Sequence, residues 1–124
     1  MQEPILTCLS EYERSNLAYA HNYVYKIYYE HDLSTLYIGS TDTSIMTRLR
    51  QHQNDTGYSA KAKWIQEHRD RKLRIERIAR AHTSMRAREI EYIAIVAYRE
   101  AGYTLMNQRM PLRNFSVPSE WYQL

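Results

Sequence analysis

Tyr23-Val24-Tyr25-Lys26-Ile27-Tyr28-Tyr29, followed after a short gap by Thr35-Leu36-Tyr37-Ile38-Gly39, is the stretch whose reading decides the fold. Both runs are rich in aromatic and β-branched residues, which suit a pleated, half-buried surface, so each predicts a strand. The residues between them, Glu30-His31-Asp32-Leu33-Ser34, are mostly polar and few enough to join the strands as a β-hairpin. In such a hairpin Tyr25 and Tyr37 can fall on neighbouring strands and on one face. Aromatics are ordinary strand residues, so the pair alone is equally well explained by packing.

Downstream, Ser40-Thr41-Asp42-Thr43-Ser44 offers several N-cap side chains, and a helix is expected to follow to about residue 53. Ile45, Arg48, Leu49 and His52 are spaced i, i+3, i+4 and i+7 and share one face of it. Asn54-Asp55-Thr56-Gly57 interrupts the pattern, and a second helix is expected over residues 59–70, carrying Trp64 and Ile65. Residues 73–81 fit neither period cleanly and are read as a strand. Thr83 or Ser84 caps a third helix ending near Ala101, with Gly102 as its stop. Met85, Glu89, Tyr92, Ile93 and Val96 are read as its apolar stripe. Residues 1–22 form an N-terminal extension, with a helix expected around residues 9–19. Residues 23–110 are the domain, and residues 111–124, punctuated by Pro111 and Pro118, are an irregular tail ending in Trp121-Tyr122.

Bulk composition narrows the classes. The chain has 124 residues, 44% hydrophobic and 25% charged, which suits one compact domain with a modest core. It holds 12 Tyr against 1 Phe and 2 Trp, so its aromatic surface can also hydrogen-bond. A lone Cys8 cannot form an internal disulfide, and the early residues are acidic with no basic leader, so a reducing, cytoplasmic setting is expected. The longest apolar run, residues 93–98, is too short to cross a membrane. Charge is distributed unevenly. Residues 1–42 carry two basic against six acidic side chains, whereas residues 61–88 carry ten against three. An Arg-rich middle of that density suits a phosphate backbone, or a solvated surface.

Two of the helices carry charged or titratable groups on their apolar stripes: Arg48 and His52 beside Leu49, and Glu89 ahead of Tyr92-Ile93. Such groups must be paired or face a cleft. Each also has a plain explanation, as a stripe-edge residue reaching water or, for Glu89, as a carboxylate favoured near a helix N-terminus. With only Gly39, Gly57 and Gly102 there is no glycine-rich phosphate loop, and neither HExxH nor paired cysteines offer a zinc site.

At Tyr23-Val24-Tyr25 and Tyr37-Ile38-Gly39 the chain resembles the GIY-YIG nuclease family. The second half of the signature is intact; in the first half the glycine is replaced and the tyrosine kept. The resemblance extends in order through Arg48 and His52 one turn apart, Glu89 on the later helix, and Asn107 after a short loop. It implies an α+β fold, a three-stranded antiparallel sheet flanked by helices, which also favours a strand at residues 73–81. It implies a metal-dependent DNA endonuclease whose catalytic residues are Tyr25, Tyr37, Arg48, His52, Glu89 and Asn107. Glu89 would hold a hydrated Mg²⁺ or Mn²⁺, and Arg48 would bind the scissile phosphate. Tyr25 or His52 would activate the water, Tyr37 would orient water or phosphate, and Asn107 would fix a neighbour.

DNA is the expected partner, with Arg50, Lys61, Lys63 and Arg69 as candidate contacts, and no membrane role is expected. The acidic extension is the candidate surface for a homo-oligomer. A rival reading makes residues 43–70 a helix-turn-helix that binds DNA without cutting it, which leaves Tyr25, Tyr37 and Glu89 without a purpose.

Overall fold

A computed structural model describes residues 2–16, 19–112 and 115–124. In chain order the elements are β1 (Ile5–Leu6), α1 (Glu11–Arg14), β2 (Asn22–Tyr29), β3 (Asp32–Thr41), α2 (Ile45–Gln53) and α3 (Ala60–Glu67). These are followed by β4 (Leu73–Ala81), α4 (Ser84–Glu100), β5 (Thr104–Leu105), a 3-10 turn (Ser119–Trp121) and β6 (Tyr122–Gln123). No helix among the described residues is long and apolar enough to cross a membrane.

The hairpin forms as expected, but its connection is shorter. β2 ends at Tyr29 and β3 begins at Asp32, so Glu30 and His31 alone make the turn. The Asp32 carboxylate accepts from Ser34 N (3.0 Å), Ser34 Oγ (2.7 Å) and Thr35 Oγ1 (2.9 Å), which holds these polar residues in the strand. A bulge between Tyr28 and Tyr29 absorbs the change of register.

β2 lies at the centre, antiparallel to β3 on one side and β4 on the other. The expected three-stranded antiparallel sheet is extended by β5, which runs parallel to β3, giving the order β4-β2-β3-β5. Two residues are too few to leave a periodic signal. α1 is shorter than the helix expected at residues 9–19: its capping box at Ser10 and Glu13 starts it, and it ends at Ser15. Residues 17 and 18 of that expectation lie outside the described residues. α3 likewise stops at Glu67, where His68 turns the chain toward β4.

Alternation along β2 sends its residues to two cores. Val24, with Leu36 and Ile38 of β3 and Ala79 of β4, packs against Ile90, Ile93, Ala94 and Ala97 of α4. Tyr25, Ile27 and Tyr29 face the other way, against Leu49 of α2, Trp64 and Ile65 of α3, and Leu73. Ser44, Ser59 and Thr83 cap the three longer helices, each side chain accepting from the backbone N–H three residues on. Gly102 takes φ 98°, the left-handed stop expected after α4.

The stripe expected on α4 is out of phase. Met85 is exposed, whereas Ala87, Ile90, Ala94, Ala97 and Tyr98 are buried. Apolar residues fill much of this helix because the chain ends cover it as well. β1 pairs with β6, Phe115 meets Tyr92 edge-on, and Arg86 pairs with Glu13. In the N-terminal extension, Leu6, Leu9 and Glu13 are therefore buried within their own chain.

Candidate active site

Tyr25 stands on β2 directly opposite Gly39 of β3. Its ring is fully buried and lies across that glycine: a Cβ at position 39 would meet Tyr25 Oη at 2.5 Å and Cζ at 2.7 Å. Gly39 is thus required by the tyrosine on the neighbouring strand, which ties the two halves of the signature into one physical unit. Tyr37, two residues before Gly39, projects on the same side as Tyr25 and borders the adjoining cleft.

α2 brings the next two groups. Its Leu49 is buried against the sheet, and the residues one position before it and three after share that side. Arg48 Nε donates to Tyr25 Oη at 3.1 Å, and His52 Nε2 lies 2.7 Å from the same oxygen. The His52 ring also meets Tyr37 edge-on at 5.4 Å. Burial, followed by the charges of Lys61 and Arg48, pushes the His52 imidazolium down to about 3, so the ring is neutral. Burial also raises the Tyr25 phenol well above its usual value, with Arg48 opposing.

Lys61 belongs to this cluster and not to an outer DNA-facing surface. Its Nζ lies 3.0 Å from His52 Nδ1 and 2.6 Å from Asp55 Oδ2, and it stands 5.5 Å from the centre of the Tyr37 ring. Sequence reasoning missed Asp55, which sits in an interhelical loop where no period applies. Asn107 holds β3 in place: its Oδ1 accepts from Ile38 N at 3.0 Å and its Nδ2 donates to Ile38 O at 2.7 Å. It thus fixes the backbone between Tyr37 and Gly39 without touching either tyrosine's hydroxyl.

The geometry brings a different carboxylate to this cluster from the one expected. Glu89, expected as the metal ligand, lies away from this cluster and faces Arg86, with 3.9 Å between Nη1 and Oε1. Glu91 occupies the site. It lines a cleft of about 440 Å³ with Tyr37, Lys61 and Asn107, accepts a hydrogen bond from Ser40, and faces the charges of Arg48 and Arg88. At 100° per residue the two glutamates point about 200° apart on α4, so the phase error in the stripe exchanged one for the other. Burial holds the Glu91 carboxyl above its usual range despite Ser40, Arg88 and Arg48. A further groove lined by Asn22, Ser40, Thr41, Arg48, Ser84 and Arg88 runs along the helix ends.

The donor set fits one kind of metal. No group of three or more His, Cys, Asp or Glu side chains gathers among the described residues, so a closed cage of protein ligands is not on offer. A half-buried carboxylate whose charge is incompletely compensated suits a hydrated divalent cation, which needs few protein ligands. Of the other basic candidates, Arg50 and Lys63 are exposed, and Arg69 donates to the backbone carbonyls of Gln53 (2.7 Å) and Asp55 (3.2 Å), stapling the loop. The helices expected in a helix-turn-helix are present as α2 and α3, but Leu49, Trp64 and Ile65 lay them on the sheet.

Comparison with curated proteins and with solved structures returns no match. A model of the GIY-YIG catalytic domain matches residues 21–104, the segment that carries the hairpin, the Arg48–His52 helix and Glu91. The chain belongs to the GIY-YIG family of nuclease domains.

Proposed function

We propose that this protein is a divalent-metal-dependent endonuclease that hydrolyses phosphodiester bonds in DNA, with Tyr25, Tyr37, Arg48, His52 and Glu91 as its working groups. The observation that carries the reading is the convergence of Arg48 and His52 on the buried Tyr25 oxygen, beside a cleft that holds Glu91. Glu91 would hold the cation, which when bound supplies positive charge to the phosphate and the departing oxygen. Arg48, always protonated and planar, has donors left for a phosphate oxygen beyond its bond to Tyr25. Tyr25 and Tyr37 orient the attacking water, with His52 and Arg48 holding the Tyr25 oxygen, and the proton of that water passes to solvent. Water oxygen bonds to phosphorus, one ester bond to phosphorus breaks, and the departing oxygen is protonated by solvent. Asn107 holds β3 where Tyr37 borders the cleft, and Gly39 leaves the space that the Tyr25 ring fills.

The test is cleavage of supercoiled plasmid, single-stranded, flap and branched DNA with Mg²⁺, Mn²⁺ or EDTA. Glu91→Ala and Glu89→Ala are run side by side. Glu91→Ala is expected to abolish metal-dependent cutting while DNA binding survives, and Glu89→Ala is expected to cut within about threefold of the parent, as surface changes outside a site usually do. Full cutting by Glu91→Ala overturns the metal assignment. Absence of cutting on every substrate overturns the enzyme.

A further inference from the structure

The hydrogen bonds around His52 have a direction that the distances and the chemistry of the donors fix. Lys61 Nζ forms an ion pair with the Asp55 carboxylate at 2.6 Å, and an ammonium has three donors and no acceptor. At 3.0 Å from His52 Nδ1 it can only donate, so Nδ1 carries a lone pair. A neutral imidazole with a lone pair on Nδ1 has its proton on Nε2. That nitrogen is the one 2.7 Å from Tyr25 Oη, so His52 donates to the phenol oxygen. Arg48 Nε–H donates to the same oxygen at 3.1 Å. Neither neighbour can then accept the phenol's own proton.

We propose that Lys61, held by Asp55, is a positioning residue that fixes His52 as its Nε2–H tautomer and so keeps the imidazole a hydrogen-bond donor to Tyr25 Oη. The tautomer stands on the hydrogen bonds alone; its effect on the rate of cutting rests on the nuclease reading. His52 has no free lone pair at any point, because Nδ1 is occupied by Lys61. Lys61 itself is 15% exposed at its side chain, with its ammonium directed at Asp55 and His52, which sets it apart from the exposed Lys63.

The tautomer is read directly from long-range ¹H–¹⁵N correlation spectra of the full chain labelled at histidine, with His52→Gln identifying the signals. At pH 7 the parent is expected to show a protonated Nε2 and an unprotonated Nδ1. Lys61→Met, which keeps the length and removes the donor, is expected to move His52 to the Nδ1–H form or a mixture, whereas Lys61→Arg is expected to leave it unchanged. An Nδ1–H form or an imidazolium in the parent overturns the proposal, as does an unchanged tautomer in Lys61→Met. Should Lys61→Met fail to fold, Asp55→Asn must shift His52 in the same direction, and an unchanged tautomer there also overturns it. None of these spectra needs DNA or metal, so their failure is distinct from failure of the nuclease reading. On plasmid, Lys61→Met is expected to lower kcat by about tenfold or more with KM little changed. A raised KM at constant kcat marks Lys61 as a DNA-clamping cation and overturns the positioning role.

Discussion

The two faces of the central sheet are built from alternate residues of the same strands, yet they hold together differently. Toward α4 the contacts are almost wholly aliphatic: Val24, Leu36, Ile38 and Ala79 against Ile90, Ile93, Ala94 and Ala97. Toward α2 and α3 the aliphatic Ile27, Leu49, Ile65 and Leu73 are joined by Tyr25, Tyr29, Trp64 and His52, with hydrogen bonds linking Tyr25 to His52 and the Tyr29 hydroxyl to the Ile65 carbonyl. Aliphatic contacts are tolerant of small shifts, whereas a network of phenol, imidazole, guanidinium and ammonium groups is stable only when every member is satisfied. The first face supplies the stability and the second the chemistry. Glu91 joins them: it comes from the helix of the aliphatic face and reaches the cleft of the polar one.

If the faces divide the work in this way, substitutions on each should move different observables. Arg48→Ala is the largest expected effect after loss of Glu91. It removes the guanidinium from Tyr25 and from the phosphate site, and is expected to lower kcat by about 100- to 1000-fold, the range for a lost transition-state donor. Arg48 is only partly buried, so the urea midpoint should move little. Single-turnover cleavage beside urea unfolding checks both halves, and a rate loss below about tenfold removes Arg48 from the phosphate.

Ile93→Ala is the converse. Ile93 is fully buried in the aliphatic core and lies on the side of α4 away from Glu91. Deleting its branched chain is expected to cost about 2–5 kcal/mol of stability. In conditions where the variant is folded, kcat should stay within about threefold of the parent, the rate equivalent of less than 1 kcal/mol. A larger fall in kcat would mean that the two faces are mechanically coupled through α4, and the comparison would have to be abandoned.

The same division explains what could be read before the structure. Tyr25 and Tyr37 lie on strands of period two, and Arg48 and His52 one turn apart on a helix with a single buried side, so their faces follow from spacing alone. Gly39 announces itself less directly. Its reason lies on β2, opposite, where the Tyr25 ring occupies the space of the missing Cβ. Glu91 was not legible, because α4 is apolar around most of its circumference and the chain ends cover what the sheet does not. Without a clean polar side there is no phase, and a stripe through Met85, Glu89 and Val96 is as regular as the buried one through Ala87, Ile90 and Ala94. Lys61 and Asp55 were opaque for a different reason. Their meeting with His52 is set by the loop between α2 and α3, which has no periodicity to read. β5 has only two residues, and its partner is distant in sequence.

The smallest expected effect is a pH dependence confined to the polar face. His52 is neutral in the folded protein down to about pH 3, against an ordinary value of 6.5 in the unfolded chain. Below 6.5 the unfolded chain takes up a proton that the folded protein refuses, so stability falls as pH falls, and the loss continues until the folded value is reached. Each pH unit in that window is worth about 1.4 kcal/mol, so lowering the pH from 7 to 5 should remove about 2 kcal/mol through this residue. The other carboxylates and histidines titrate too, so the measurement is a difference: urea midpoints at pH 7 and pH 5 for the parent and for His52→Gln. The glutamine keeps an amide near Tyr25 but cannot take up a proton, and its variant should lose less stability on acidification by about that amount. Equal losses in both proteins would place the imidazolium inside the folded site. Nδ1 would then be protonated and unable to accept from Lys61, and the polar face would lose the directionality that separates it from the aliphatic one.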